Sequence, residues 1–292
     1  MKNPSSIIHH QLSIASLPPI REMMVAAGLA PKKHLGQNFL FDLNLTGKIA
    51  RSVPDIEHTT VVEVGPGPGG LTRALLMAGA ARVIAIEKDK ATEPILSQIA
   101  AAADGRLDVI YGDALKWMTD DGQWIMEDYA VCSNLPYNIG TELLIHWLHI
   151  MATSSIINHP SSLTLMFQRE VAERIVAHVG DGQYGRLAVL TSLVADAKIL
   201  FNVPAAAFFP APKVQSAVVQ IIPNARKIAS LQGLDKIEKL TAKLFGQRRK
   251  MIRGIIRNVD WSQFGLTGTE RAEELLPEKF AEMAEALITS SE

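Results

Sequence analysis

Cysteine is nearly absent from this chain of 292 residues, in which Cys132 is the only one. A lone cysteine excludes a disulfide framework and a cysteine-based zinc cluster, and it favours a reducing compartment. Aromatic residues are also scarce, at 6%, and the longest uncharged run is interrupted by histidine, proline and serine. Such a run is unsuited to a lipid bilayer. We therefore expect a cytoplasmic protein that neither contains a membrane span nor begins with a signal peptide.

Neither sign of charge dominates the whole chain, since 29 Lys and Arg face 30 Asp and Glu. This balance excludes a uniformly basic surface for nucleic acid but leaves room for a local basic patch. Residues 224–257 contain ten basic and two acidic residues, whereas residues 258–292 contain eight acidic and two basic ones. We therefore expect a flexible leader at 1–20, a main domain at 21–222 and a small helical domain at 223–292.

Short apolar runs alternate with helical patterns over residues 60–222, which is typical of a mostly parallel sheet covered by helices. The predicted strands lie at 60–64, 83–87, 107–111, 129–133, 162–167, 197–202 and 214–222. Only a proline-rich loop joins the last two strands, so we expect them to form an antiparallel hairpin at one sheet edge. The expected fold class is α/β.

A glycine-rich turn follows the first predicted strand. Gly65, Gly67 and Gly70 fit the pattern G-x-G-x-x-G, in which glycines let the backbone approach a ligand and the next helix offers free N–H groups. Glu87 ends the second strand, where a carboxylate can accept both hydroxyls of a ribose. Asp113 follows the third strand and is predicted to contact an adenine, with a helix N-cap as the alternative. A plain tight turn remains the alternative for the glycines.

The segment Asn134-Leu135-Pro136-Tyr137 directly follows the fourth predicted strand. The amino nitrogen of adenine is a poor nucleophile because its lone pair is delocalised into the ring. Two acceptors that hold its protons would localise the lone pair, and the Asn134 side-chain oxygen and Leu135 carbonyl can supply them. Pro136 restrains Leu135 to extended backbone, and Tyr137 offers a face on which the base can stack. An Asn-x-Pro turn beside a buried tyrosine is the alternative.

These motifs occur in one order with others along the chain. Together they resemble the adenine dimethyltransferases of small-subunit ribosomal RNA, from Pro31 to the C-terminus. The resemblance implies a Rossmann-like seven-stranded methyltransferase sheet with a small C-terminal all-helical domain. It also implies S-adenosylmethionine as cofactor and two neighbouring adenosines near the 3′ end of 16S rRNA as substrate. The motifs are Leu35-Gly36-Gln37-Asn38-Phe39-Leu40, Glu63-Val64-Gly65-Pro66-Gly67, Asn134-Leu135-Pro136-Tyr137, Gln183-Tyr184-Gly185-Arg186-Leu187, Phe208-Phe209-Pro210-Ala211-Pro212-Lys213-Val214-Gln215-Ser216 and Gln247-Arg248-Arg249-Lys250.

The resemblance also assigns roles to single residues. Asn134 is expected between donor and acceptor, where it takes part in catalysis with Leu135 and Tyr137. Phe208 falls where the family places an aromatic that helps to hold the target base. The expected contacts to the methyl donor are Asn38, Leu40, Gly65, Gly67, Glu87, Asp113 and Asn134.

A basic run is the expected RNA contact, and it is predicted to form a helix over residues 248–257. Five cations without an acidic residue can replace counterions along a phosphate backbone, whereas an ordinary solvated face is the alternative. No metal is expected, because His146 and His149 lack a third ligand. The predicted RNA contacts are Arg248, Arg249, Lys250, Arg253 and Arg257.

Three other functions remain open at the level of sequence. A nicotinamide dehydrogenase would share the glycine turn and Glu87, but it gives no reason for the segment from Asn134 to Tyr137. A methyltransferase of large-subunit RNA would share nearly every motif. A binding role in assembly of the small subunit could coexist with catalysis. The favoured hypothesis is a monomeric enzyme that acts on rRNA within an immature 30S particle and does not bind a membrane.

Overall fold

A computed structural model of the chain describes residues 14–31, 37–119, 128–153 and 159–288. Leu35 and Gly36 of the first motif lie outside these ranges. The strands are β1 (Phe39–Leu40), β2 (Thr60–Val64), β3 (Arg82–Glu87), β4 (Leu107–Tyr111), β5 (Tyr129–Asn134), β6 (Ser162–Gln168), β7 (Ala195–Val203), β8 (Phe208–Phe209) and β9 (Ser216–Pro223). The helices are α1 (Ile20–Ala26), α2 (Leu43–Ala50), α3 (Gly70–Met77), α4 (Glu93–Ala102), α5 (Ala114–Thr119), α6 (Gly140–Thr153), α7 (Arg169–Val176), α8 (Arg186–Val194), α9 (Ala225–Ala229), α10 (Leu234–Phe245) and α11 (Pro277–Ile288).

Seven strands form the central sheet in the order β4-β3-β2-β5-β6-β9-β7. The first five of these are parallel, and β9 runs antiparallel to both β6 and β7. All seven predicted strands and the antiparallel hairpin at the edge are therefore confirmed. The parallel strands read as continuous apolar runs because helices cover both faces. Along β2, for example, Val61 and Val62 are both fully buried but belong to hydrophobic clusters on opposite faces.

The strand order reverses between β2 and β5, and this reversal creates a crevice. The ladder between the two strands ends at the pair Val62 and Val131, although both strands continue beyond it. The next N–H of β2, at Val64, donates instead to the side-chain hydroxyl of Ser133 at 2.8 Å. The carboxyl ends of β2 and β5 therefore diverge at the switch point where open α/β sheets bind ligands.

A second, two-stranded sheet lies beside this crevice. Strand β1 pairs antiparallel with β8, so that Phe39 is opposite Phe209 and Leu40 is opposite Phe208. Phe39, Leu40 and Phe208 are buried and belong to the hydrophobic cluster of one sheet face. This two-stranded sheet of β1 and β8, which we call the ribbon, thereby attaches the segment before α2 to the loop before β9.

The expected flexible leader is wrong for residues 14–20. Ile14 and Ile20 are buried, and Met23 and Met24 of α1 extend the same contact. The guanidinium of Arg73 donates to main-chain carbonyls at residues 14, 17 and 18. A buried arginine needs such acceptors, so the segment is fixed to α3. Residues 1–13 lie outside the described part of the chain.

The predicted helix over residues 248–257 is also wrong. Helix α10 ends at Phe245, the chain turns, and Met251 forms an isolated bridge with Arg271. A single 3₁₀ turn, Ile252–Gly254, follows. The segment contains β-branched residues and a glycine, which favour helix weakly, and the fully buried Ile252 anchors it in the core instead. The sequence pattern over residues 270–275 also predicts a helix, but the structure has only a 3₁₀ turn there, at Ala272–Glu274.

The C-terminal region packs against the sheet domain through side chains of the motif at residues 183–187. The hydroxyl of Tyr184 donates to the Leu275 carbonyl at 2.9 Å, and Arg186 forms an ion pair with Glu238 of α10. His149 of α6 contacts the same carboxylate at 2.6 Å. The motif around Tyr184 therefore holds the helical region onto the sheet. Within the residues described, no helix is both long and apolar enough to cross a bilayer.

Candidate active site

Residues 37–40 lie across the carboxyl ends of neighbouring strands. The side chain of Gln37 donates to Asp89, just after β3, at 3.4 Å. The carbonyl of Asn38 accepts a hydrogen bond of 2.9 Å from the side-chain amide of Asn134, at the end of β5. The segment therefore closes one side of the crevice.

The glycine turn makes room for this segment. A Cβ on Gly70 would lie 2.4 Å from the Leu40 carbonyl oxygen, and one on Gly67 would lie 2.7 Å from the Phe39 ring. Gly67 also has a φ of +54°, a backbone conformation that side chains with a Cβ rarely adopt. The turn and β1 can pack together only because these two residues are glycines.

One cavity is lined by every predicted catalytic and donor-binding residue except Phe208. It lies at the carboxyl ends of β2, β3, β4 and β5, under residues 37–40. Its lining includes Asn38, Leu40, Gly65, Gly67, Glu87, Asp113, Asn134, Leu135 and Tyr137.

Glu87 faces the cavity from the end of β3 and organises the loops around it. One carboxylate oxygen accepts the N–H of Gly67 at 2.9 Å, and the other accepts the N–H of Asp89 at 2.8 Å. Burial raises the pKa of this carboxyl, although these hydrogen bonds oppose the shift. A carboxylate has about four acceptor positions, so these two hydrogen bonds do not exhaust its capacity to accept from a ligand hydroxyl.

Asp113 has the helix-capping geometry that was the alternative for it. One oxygen accepts the N–H of Leu115 at 3.1 Å in the first turn of α5, and the other pairs with Lys88 at 2.8 Å. The hydrogen bond from Lys88 holds the pKa of Asp113 below its usual value. Its position on the cavity wall is compatible with a ligand contact in addition to the cap.

Asn134 has its amide oriented by the contact to Asn38. Because the Nδ2 atom donates to that carbonyl, the Oδ1 atom is left as an acceptor. The adjacent Leu135 is 2% exposed and contributes to the same wall. The site thus has a side-chain acceptor beside Leu135, and the role of these two residues in holding the amino protons of adenine stays a prediction.

Tyr137 lines the cavity on the side away from Glu87. Its hydroxyl lies 2.6 Å from the buried hydroxyl of Ser216, the first residue of β9. Burial raises the pKa of the Tyr137 hydroxyl, so it stays neutral at physiological pH. The contact fixes the ring between the Asn134 segment and the loop that follows β8.

Comparison with known proteins identifies the family of this chain. Residues 28–289 match the family model described as ribosomal RNA adenine dimethylase. The chain belongs to that family. It is 50% identical to the ribosomal RNA small subunit methyltransferase A of Azorhizobium caulinodans, over 94% of each chain. With the protein of the same name from Chelativorans sp. it shares 48% identity over 94% of this chain and 99% of the relative. The crystal structure of a dimethyladenosine transferase from Plasmodium falciparum has the same fold, with a TM-score of 0.70, 23% identity and coverage of 87% of this chain and 98% of that one.

Membership of the adenine dimethylase family removes the dehydrogenase alternative and makes the protein a methyltransferase. The fold is the expected seven-stranded Rossmann-like sheet. Among the described side chains, no group of three His, Cys, Asp or Glu residues converges in a way that would hold a metal.

Phe208 is placed differently from the expectation. It is 4% exposed and packs with Phe39 and Leu40 in the hydrophobic cluster, and it is absent from the described cavity lining. Because residues alternate sides along a strand, its neighbour Phe209 points outward and is 47% exposed. Phe208 therefore supports β1, and its assignment as a base contact remains a prediction.

The basic run contains one residue that is already paired. Arg248 contacts Glu273 and donates to the Gly182 carbonyl at 3.0 Å, so the assumption that the run lacks acidic partners is wrong there. The other four cations are exposed, and the described residues include no ion-pair partner for them. They are Arg249, Lys250, Arg253 and Arg257.

Glu63 is a cavity residue that the sequence reasoning missed. It is 1% exposed, and Thr72 donates to it at 2.6 Å. Burial raises its pKa to about 8. The available signal was a single acidic residue inside the apolar run of β2, a position that is costly unless the group is paired or neutral.

Proposed function

We propose that this protein transfers methyl groups from S-adenosylmethionine to N6 of two adjacent adenosines near the 3′ end of small-subunit rRNA. The oriented amide of Asn134 is the observation on which this proposal rests. Its oxygen is an acceptor in the same cavity as the buried carboxylate of Glu87, which can bind the hydroxyls of a ribose. The relatives named as small-subunit enzymes, at 48% and 50% identity, support the small subunit over the large one.

The cavity fits the proposed donor. Gly65 and Gly67 expose main chain to it, and Glu87 lines it with a carboxylate that can accept from the hydroxyls of a ribose. Asn38, Leu40 and Asp113 complete the proposed donor contacts. S-adenosylmethionine, when bound, supplies a methyl carbon that a nitrogen lone pair can displace from sulfur.

The acceptor side is built from the Asn134 segment. The Asn134 side-chain oxygen and the Leu135 carbonyl hold the two amino protons of adenine, which turns the nitrogen lone pair toward the methyl carbon. Tyr137 stacks on the base, and its hydroxyl stays bound to Ser216. One amino proton is lost to solvent after each transfer, so the site needs no strong base.

The exposed cations after α10 are proposed to bind the phosphate backbone. They are expected to position the RNA, while the chemistry selects an unstacked adenine. We place this contact in a helical domain at residues 223–292 and the donor site in a methyltransferase domain at 21–222. A cytoplasmic monomer that acts on an immature 30S particle belongs to the same proposal.

The deciding experiment incubates the purified protein with labelled donor and under-methylated small ribosomal subunits. Mass spectrometry of the rRNA nucleosides is expected to detect N6,N6-dimethyladenosine. If label appears in no adenosine of the small-subunit rRNA, or if large subunits offered in a parallel reaction accept it instead, the proposal is wrong. Titration with S-adenosylmethionine and with NAD provides an independent test of the donor.

A further inference from the structure

Three side chains from distant parts of the sequence form an exposed cluster beside the active site. The guanidinium carbon of Arg21 lies 4.9 Å from the ring centre of Phe41 and 5.3 Å from that of Phe209. The two rings are 5.9 Å apart at an interplanar angle of 36°. We call these three residues the stacking cluster.

The stacking cluster is open to solvent. Phe209 is 47% exposed and is the one aromatic among the highly exposed large hydrophobic residues in the described chain. Arg21 is also exposed and forms no ion pair with any acidic residue that the structure describes. An exposed aromatic ring costs solubility, and a ring that served only the fold would contribute more if it were buried.

The position of the stacking cluster connects it to the active site. Phe209 is directly across the ribbon from Phe39, which lines the cavity. The loop that starts at Phe209 ends at Ser216, whose hydroxyl contacts Tyr137. Phe209 therefore begins the segment that borders the acceptor side of the cavity.

An unpaired base is the ligand that matches this surface. Single-stranded RNA is bound by stacking on aromatic rings and on arginine guanidinium planes, with positive charge for the phosphate. Methylation at N6 requires the target adenine to leave its stack, so the base next to it loses a stacking partner. An apolar protein partner would match Phe209 but would leave the charge of Arg21 unused.

We propose that Arg21, Phe41 and Phe209 bind the unpaired base that neighbours the target adenosine in the RNA. This inference rests on the proposed function. Arg21 lies before residue 28, where the match to the family model begins. The segment that precedes the match would thus contribute to substrate binding.

Variants of the full chain test the proposal in steady-state and single-turnover methylation of under-methylated small subunits. We expect Phe209→Ala to raise the KM for the RNA substrate about 5- to 100-fold. The single-turnover rate at saturating RNA and the Kd for S-adenosylmethionine should change far less. Phe209→Trp should restore the KM because it keeps a stacking face, and Arg21→Gln should raise it with a weaker salt dependence. Leu276→Ala, which alters another exposed apolar residue, is the matched control.

A direct contact is tested with an RNA hairpin that has two neighbouring adenosines in its loop and 5-iodouridine beside them. Ultraviolet crosslinking should attach the RNA to a peptide that contains Phe41 or Phe209. Crosslinks confined to other peptides, or an unchanged KM in Phe209→Ala and Arg21→Gln, would overturn the inference. Parallel losses of donor and RNA binding would do so too, because the cluster would then only support β1. A wild-type protein that crosslinks but transfers no methyl group would count against the proposed function instead.

Discussion

Asn134 and Asn38 share a hydrogen bond of 2.9 Å although 96 residues separate them in the chain. The bond joins the end of β5 to the segment that covers the cavity. It also decides which end of the Asn134 amide faces the ligand, because the donor end is occupied by the Asn38 carbonyl. The contact therefore orients the acceptor and also contributes to closure of the crevice, together with the hydrogen bond from Gln37 to Asp89.

The first prediction concerns this contact. Asn134→Ala removes the acceptor, and Asn134→Asp places an oxygen against the Asn38 carbonyl and so repels it. We expect both variants to lose about 10²- to 10³-fold in single-turnover methyl transfer, as for other preorganised hydrogen-bonding groups. The Kd for the RNA, measured by filter binding, should change by no more than a factor of about two. This corresponds to a change in binding free energy well below 1.4 kcal/mol, the equivalent of a tenfold change in Kd. A variant that transfers methyl groups at the wild-type rate would show that Asn134 is not catalytic.

The strand ends that form the site could be predicted because each belongs to a strong local pattern. Apolar runs identify β2, β3, β4 and β5, and parallel strands place their following residues at one edge. The two-stranded ribbon could not be found this way. Strands of two residues have no periodicity, and the pairing of Phe39 with Phe209 joins residues from distant parts of the chain.

The basic segment was misassigned for a different reason. The spacing of its charges predicts a helix over residues 248–257. The burial of Ile252 and the bridge between Met251 and Arg271 override this local preference. The stacking cluster cannot be predicted from the sequence for the same reason as the ribbon, because Arg21 and Phe209 are distant in the chain and come into contact only in the folded structure. Long-range contacts account for the ribbon, the basic segment and the stacking cluster, whereas Glu63 had a local signal in the apolar run of β2.

The second prediction tests the close approach of the glycine turn to β1. In Gly70→Ala the new Cβ would meet the Leu40 carbonyl at 2.4 Å, so the main chain must shift. We expect a loss of stability of about 1–3 kcal/mol, typical of overpacking, together with weaker donor binding. Thermal unfolding and calorimetric titration with S-adenosylmethionine measure the two effects.

Gly182→Ala is the matched control for this variant. A Cβ at Gly182 meets no atom within 4 Å, so neither stability nor donor affinity should change appreciably. If Gly70→Ala binds the donor as tightly as Gly182→Ala does, β1 does not form part of the donor site.

The third prediction follows from the buried carboxyl of Glu63. Its pKa is about 8 in the folded protein and 4.5 in an unfolded chain, so the folded state keeps a proton that the unfolded state loses. This group's contribution to stability is therefore complete below pH 4.5 and is lost as the pH rises to about 8. Glu63→Gln removes the titration, so the free energy of unfolding of the variant minus that of wild type should increase across this range. The slope is at most about 1.4 kcal/mol per pH unit.

Denaturant unfolding at several pH values measures this difference. Gln98→Ala, which alters an exposed residue without an ionisable group, should give a difference that is flat with pH. A flat difference for Glu63→Gln as well would show that Glu63 is ionised in the folded protein throughout.

The fourth prediction separates Arg248 from the exposed cations that follow it. Arg249→Ala, Lys250→Ala and Arg253→Ala should each weaken RNA binding and reduce the slope of log K against log salt by about 0.7 to 0.9, the value of one phosphate contact. Arg248→Ala should instead lower the free energy of unfolding, because it leaves Glu273 and the Gly182 carbonyl without their donor. Filter binding of small subunits over a range of salt concentrations, with thermal unfolding of the same variants, distinguishes the two effects.

Arg82→Ala controls for the loss of one positive charge. Arg82 begins β3, at the opposite end of the strand from Glu87, and pairs with Asp108. Its removal should leave the salt slope unchanged, because the amino end of the strand faces away from the cavity. If Arg82→Ala lowers the slope as much as Lys250→Ala does, the RNA responds to net charge alone and the segment after α10 is not its binding surface.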